Sequence, residues 1–578
     1  MKALKINKKA LFYGLSAFLF LYAFRKVNQG IDVSDTGYHF SNFLYMSEMD
    51  PMWVFSTYLA SLLGHFFTTL PGGESLLGIQ IYTTLLPAVL GVISFWFFVK
   101  VVKLEIWKSF IGVLVALSLC WCPTTCVYNY LTYLLFVAGA ILLYQGLTKD
   151  KVVCLVLAGV ALGANVLVRF PNLAEAALIL VVWYSCFLEK AKFGRYVQKT
   201  GYCLAGYLLG AGLVFIQISI QYGFDAYVEG IMRLFAMTDT ASDYTAYAMV
   251  LHLIEAYIFS GRWLVLLGIC VLLGTAGFHV LPGKFLQLKK LGYVACCLIL
   301  VRWLYGQGMF SLDYNGFGPV LNWSVMMVIG ALLLAVWVVF STKSTYAEKL
   351  LAAVVVIVIG ITPLGSNNQL YANLNNMFLV APFVLYELGK LFVTVPVGFP
   401  MKAMSLLCVA MVVIQCFIFG NVYVFRDLAP RNTEVTNMDS LQYMQTNAEN
   451  GALLEELGEF AGEASLAGQR VLLFGDVPGL SAYLGMPFVM SPWPDLPSYT
   501  EETFRTELEK LQDNISEQKP VIIFGSNFYN FLTNIEENVA LESGIQEKYG
   551  YKLSLLLDFI QENNYECTFI NEGYVILQ

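Results

Sequence analysis

Apolar stretches of about 17 to 25 residues recur along this chain between short polar breaks, and they limit its fold more than any other feature. At 1.5 Å of rise per helical residue, one such stretch matches a hydrocarbon layer about 30 Å thick. Composition agrees: 58% of the 578 residues are apolar or aromatic and 13% are charged, against about a quarter charged in soluble domains. The pattern predicts a polytopic α-helical membrane protein of about thirteen spans, the first near residues 9–24 and the last near 401–424.

Cytoplasmic loops carry the excess of Lys and Arg, so orientation is read from the short connections. Basic residues cluster at Lys2 to Lys9, Lys100 to Lys108, Lys149 and Lys151, Lys190 to Arg195, Lys284 to Lys290, Lys343 and Lys349, and Lys390 and Lys402. These are alternate connections, which puts the N-terminus inside and the C-terminus outside. Arg25 and Lys26 are the outward exception. The segment after the first apolar block, Arg25-Lys26-Val27-Asn28-Gln29, lacks a small-residue cleavage site and reads as the exit of a retained helix.

After Val424 the composition changes. The remainder carries 24 acidic and 8 basic residues, leaving 17 and 26 in the part before it. The division predicts a membrane domain over residues 1–424 and a small extracytoplasmic α/β domain over 425–578. In the latter, residues 470–475 and 519–525 read as buried parallel strands. Helical patterns are expected over 438–460, 500–518 and 548–562, with two closing strands near 566–570 and 573–577. The acidic surface argues against nucleic acid as a partner. Phe474-Gly475-Asp476-Val477-Pro478 lacks the glycine spacing of a dinucleotide site, and Asp476 reads as a turn residue. Of twelve cysteines only Cys567 is in the tail; His65, His252 and His279 are scattered and no HExxH occurs, so no metal is implied.

Polar residues concentrate just outside the first span, in Asp32-Val33-Ser34-Asp35-Thr36-Gly37-Tyr38-His39. Two carboxylates three residues apart can accept a proton or hold a positively polarised group, and Asp35 can equally cap a helix beginning near Thr36. His39 beside Asp32 and Asp35 leaves a divalent cation as an option. Arg169, in Val168-Arg169-Phe170-Pro171-Asn172 at the outer end of a span, is the candidate cation for a phosphate. Amide-rich Ser366 to Asn376, with Asn367, Asn368 and Tyr371, suits sugar hydroxyls. Tyr128, Asn129, Arg233, Asp239, Asp243 and Arg302 are weaker candidates for the same outer cavity.

An acidic motif in a long first outward loop, about a dozen spans and an exported C-terminal domain resemble the GT-C superfamily of membrane glycosyltransferases. That group includes protein mannosyltransferases and bacterial aminoarabinose transferases. The resemblance implies transfer of a sugar from a polyprenyl-phosphate donor to a glycan, lipid or protein acceptor at the outer face of the cell membrane. It maps the acceptor-deprotonating base onto Asp35, with Asp32 second. Arg169 would then hold the donor phosphate, with Tyr38, His39, Asn172, Asn367, Asn368 and Tyr371 about the substrate and no cofactor required. A polysaccharide polymerase or ligase, or a lipid-linked glycan transporter, is the alternative; the paired broken helices usual in transporters are not seen.

The alternation of basic loops predicts that a membrane-impermeant thiol reagent labels a cysteine replacing Asn534 and not one replacing Lys289. Labelling of the Lys289 position in intact cells would reverse the orientation.

Overall fold

In the computed structural model the described residues are 7–236, 246–280, 283–309, 311–316, 318–366, 368–391, 398–496, 499–515, 519–526 and 543–578. Asn367, Asp239, Asp243 and Asn534 lie outside them. A helix overlies each apolar block. From the N-terminus, α1 (Lys8–Ala23) is followed by three short helices, α2 (Asp35–Leu44), α3 (Pro51–Ser56) and α4 (Tyr58–Thr68). Next come α5 (Leu76–Trp96), closed by a π-helical turn, α6 (Ile106–Ser118), α7 (Val127–Lys149) and α8 (Val152–Asn165). A 3-10 segment, Phe170–Leu178, precedes α9 (Ile179–Leu188), α10 (Phe193–Tyr222) and α11 (Phe224–Ala236). The helical part ends with α12 (Ala246–His279), α13 (Leu286–Gly306), α14 (Gly318–Phe340), α15 (Tyr346–Ile361), α16 (Val380–Leu391) and α17 (Met401–Val422). Among the described residues seven helices are long and apolar enough to cross a membrane.

Two kinds of contact hold these helices at close quarters. Gly159 and Gly163 of α8 face Gly206 and Gly210 of α10, and a Cβ on any of the four would collide with a backbone carbonyl of the opposite helix. Small residues four apart let two backbones meet where lipid offers no hydrophobic gain on association. The second contact is polar. The Arg25 guanidinium donates to the carbonyls of Tyr22, Gly420 and Leu117, at 2.9, 2.6 and 3.4 Å. These carbonyls lie in the last turns of α1, α17 and α6, where the helix dipole is negative and the C=O groups lack intrahelical partners. The outward exception in the basic pattern thus closes three helix ends at one face.

Beyond α17 the chain builds two sheets. Strands β1 (Thr433–Glu434) and β2 (Gln445–Thr446) pair antiparallel. The four-stranded sheet has the order β3 (Val471–Phe474), β4 (Val521–Gly525), β6 (Tyr574–Leu577), β5 (Cys567–Ile570), with β3 and β4 parallel and the other pairs antiparallel. The helices here are α18 (Ala448–Glu463), α19 (Leu480–Tyr483), α20 (Glu501–Asp513) and α21 (Ser543–Glu562). The helix expected over 438–460 starts later, because residues 445–446 are taken by strand pairing and the Asn447 side chain accepts from the Asn450 amide at 2.9 Å. The apolar core around Phe474, Phe504, Phe524 and Leu556 also takes in Met52 of α3, and Trp53 stacks on Tyr499 at 5.5 Å.

Gly163→Leu is expected to overpack the α8–α10 contact at a cost of about 1–3 kcal/mol. Gly212→Leu on the same α10, where a Cβ meets nothing within 4 Å, is the control and leaves stability unchanged. Thermal unfolding of the detergent-solubilised protein measures both.

Candidate functional site

The acidic motif forms the start of α2. Gly30 turns the chain with φ at +91°, a conformation that a side chain disfavours. Asp32 then folds back on the amides that follow. Its Oδ1 accepts from the Ser34 amide at 3.0 Å and from the Ser34 hydroxyl, and its Oδ2 accepts from the Thr36 amide at 2.8 Å. Both oxygens of this buried carboxylate are therefore committed to the helix N-terminus. The sequence had left Asp35 as the capping residue; Asp32 does that work.

Asp35 is left with a partly open carboxylate, its side chain 34% exposed, and Oδ2 is 3.5 Å from the Arg426 guanidinium. Arg426 lies just past α17 and also donates to the Ser34 hydroxyl, so one cation links the capping turn to Asp35. Burial, then the Asp32 charge, pushes the Asp35 carboxyl up to about 6; Asp476 adds to the rise and Arg426 opposes it.

Tyr38 and His39 follow on α2. Tyr38 meets the Trp493 ring edge-on at 5.5 Å, and His39 lies 5.2 Å from the Tyr128 ring. Burial brings the His39 imidazole down to about 4, which keeps it neutral at physiological pH. Among the described residues no three His, Cys, Asp or Glu side chains gather as metal ligands, and the oxygens of Asp32 are already engaged.

Arg169 stands at the start of the 3-10 segment, its Nε 3.4 Å from Asn172 Oδ1. Asn172 is buried, and its amide donates to Thr132 Oγ1 at 2.7 Å and to the Asn165 carbonyl at 2.9 Å. Asn165 in turn donates to Glu175 at 2.7 Å. Asn172 thus anchors the turn under Arg169, and a substrate would have to displace those bonds to use it. Arg169 lines a small cavity with Thr132, Tyr133, Asn172 and Glu175, and Asp35 is not part of that lining.

The amide-rich stretch does other work. Asn375 Oδ1 accepts from the amides of Trp121 and Cys122 at 2.9 and 3.2 Å, and the Tyr371 carbonyl accepts from the Trp121 indole at 2.9 Å. These bonds pin the loop between α6 and α7. Asn368 is exposed, and no hydrogen bond among the described residues ties it or Tyr371 to α2.

The tail closes over α2. Gly37 and Gly479 meet backbone to backbone, with a Cβ on Gly479 falling 2.7 Å from the Gly37 Cα. The Gly479 amide donates to Val33 O at 2.7 Å, and Ser41 Oγ to Pro478 O at 2.9 Å. This brings exposed Asp476 toward Asp35. Asp476 adopts φ of +61°, accepts from the Trp493 indole at 3.0 Å and donates its amide to Asp495 at 3.1 Å. Left-handed backbone at a residue other than glycine often marks a functional loop. Sequence reasoning passed over Arg426 and read Asp476 as a turn residue, which its backbone fits. The signal for Arg426 was a basic residue at the end of an expected span, as for Arg169; for Asp476 it was Gly475 just before it and Gly479 three residues on.

No family model matches the chain, and no curated protein does. Solved structures match in outline. The oligosaccharyltransferase of Archaeoglobus fulgidus, in complex with zinc and sulfate, is 12% identical, with a TM-score of 0.44 over 90% of this chain and 69% of that one. AglB from the same archaeon, in complex with an inhibitory peptide and a dolichol-phosphate, is 12% identical, with a TM-score of 0.41 over 91% and 71%. ArnT from Cupriavidus metallidurans, bound to undecaprenyl phosphate, is 11% identical, with a TM-score of 0.43 over 98% and 97%. At these identities and scores nothing about the site rests on the likeness.

Proposed function

We propose that the chain is a membrane glycosyltransferase of the GT-C type. It moves a sugar from a polyprenyl-phosphate donor to a glycan, lipid or protein acceptor at the outer face, across a domain of about thirteen spans. Asp35 is the general base, Arg426 and Arg169 are the cations that meet the donor phosphate, and Tyr38 and His39 line the acceptor side. The carrying observation is the division of labour between the two acids. Asp32 takes the amides of the helix start, and Asp35 is left open to solvent, raised in pKa and beside a guanidinium. A base with a pKa near 6 is mostly ionised at neutral pH and accepts a hydroxyl proton as the acceptor attacks. The lipid of such a donor stays in the bilayer while its phosphate and anomeric carbon reach the surface, where these residues stand.

Asp35→Asn keeps the size of the side chain and removes proton acceptance, so transfer is expected to fall about 100-fold or more in a membrane assay with a polyprenyl-phosphate sugar. Asp32→Asn costs less in turnover, its loss falling on the helix cap at about 1 kcal/mol of stability. Arg169→Ala raises the KM for donor, because Ala offers no charge-assisted bond to phosphate. Wild-type turnover by Asp35→Asn at normal protein level refutes the assignment.

The pH profile tests the same residue. With the base protonated below its pKa, kcat/KM should rise tenfold per pH unit up to about 6 and then level. Asp476→Asn removes a nearby negative charge, so the midpoint moves to lower pH. Arg426→Met removes the opposing cation, so it moves to higher pH. A midpoint unmoved by both changes would take the limb away from Asp35.

A further inference from the structure

Two cations at the outer end of α1 are not used by the transfer site. Three of the five guanidinium protons of Arg25 go to the helix-end carbonyls, which leaves two to spare. The Lys26 ammonium donates to the Tyr423 carbonyl, and its remaining protons have no acceptor among the described residues. No carboxylate pairs with either side chain among those residues. Burial, helped by the Arg25 and Arg431 charges, pushes Lys26 well below its ordinary pKa. Adjacent half-buried cations without a counter-charge are unfavourable unless a ligand supplies it.

The space beside them is a cavity of about 120 Å³. A single water needs about 10–15 Å³ on the same measure, so a group of several heavy atoms fits. Gln80, Thr84, Thr124 and Thr125 line it together with Arg25 and Lys26. Thr124 Oγ1 lies 3.1 Å from the Thr83 hydroxyl and 3.4 Å from the Thr84 hydroxyl. Thr125 Oγ1 is fully buried and makes no hydrogen bond. Asp32 also borders the cavity, with both oxygens already accepting from the α2 start. The lining is therefore rich in donors and cations, and Asp35 is not among it.

We propose that this cavity binds the phosphate group of a phosphate monoester or of free phosphate, held by Lys26, the spare protons of Arg25 and the hydroxyls of Thr124 and Thr125. It is a second cation-lined place beside the one that Arg426 and Arg169 supply, bordered by Asp32 and Thr36 of the same motif, and it stands whether or not the transfer reading does. Its place at the outer end of α1 allows two sources, a lipid headgroup or the aqueous phase.

The test is thermal unfolding of the full-length protein. One arm uses detergent solution with inorganic phosphate against chloride at equal ionic strength. The other uses phosphatidylcholine nanodiscs with and without phosphatidic acid. A rise in midpoint of several degrees is expected in at least one arm, and the arm that responds names the source. Lys26→Met should unfold at a higher midpoint than wild type without phosphate, because an unneutralised half-buried charge is gone, and should lose the phosphate-dependent rise. Thr125→Val, matched in shape, should lose at least half of that rise, and it decides the matter if Lys26→Met does not fold. Asp35→Asn should keep the rise in full. No stabilisation in either arm, or an undiminished rise in Lys26→Met or Thr125→Val, overturns the proposal.

Discussion

Peptide N–H and C=O groups in apolar surroundings have to be paired within the protein, and most of this structure follows from that requirement. It turns the apolar blocks into helices and moves the unpaired groups to the helix ends. The ends then need partners of their own. At one face Arg25 supplies them to α1, α6 and α17 together, while Asn375 does the same for the loop after α6. Polar side chains that look like binding residues in the sequence are in several cases spent in this way. Asn172, Asn375 and Tyr371 satisfy backbone or buried amides, and the residues left over for chemistry are fewer than the sequence offers.

The start of α2 shows the same economy on a smaller scale. Two aspartates three residues apart compete for one set of orphan amides, and only one can hold them. Asp32 lies far enough before the helix for both its oxygens to reach back to Ser34 and Thr36. Asp35, inside the first turn, points its charge outward, where the helix dipole favours it and Arg426 meets it. A capping preference therefore selects which of the two acids stays uncommitted to backbone amides.

The boundary near residue 424 is sharper in composition than in packing. Met52 and Trp53, from the helical part, complete the apolar core of the tail, and Gly37 and Gly479 leave no room for a side chain between them. Buried Asp427 ties the two parts again, accepting from the Ile31 amide at 2.9 Å and the Thr446 hydroxyl at 2.6 Å. A tail cut off at that boundary would expose apolar surface that the intact chain covers. Such a fit also explains how a charge in the tail, Asp476, comes to act on Asp35.

Hydrophobic run length and the placement of Lys and Arg are local properties, so the sequence by itself determined the helical class, the places where helices form and the acidic motif just beyond the first of them. The parallel pair β3 and β4 was legible for the same reason, as two buried β-branched runs ending in glycine. What only the tertiary structure decided depends on contacts between residues far apart in the chain. Arg426 and Asp476 reach Asp35 because α17 ends beside α2 and because two glycines let the tail approach. Arg25 and Lys26 face a cavity because three helices end together. No periodicity or spacing in the sequence carries those distances.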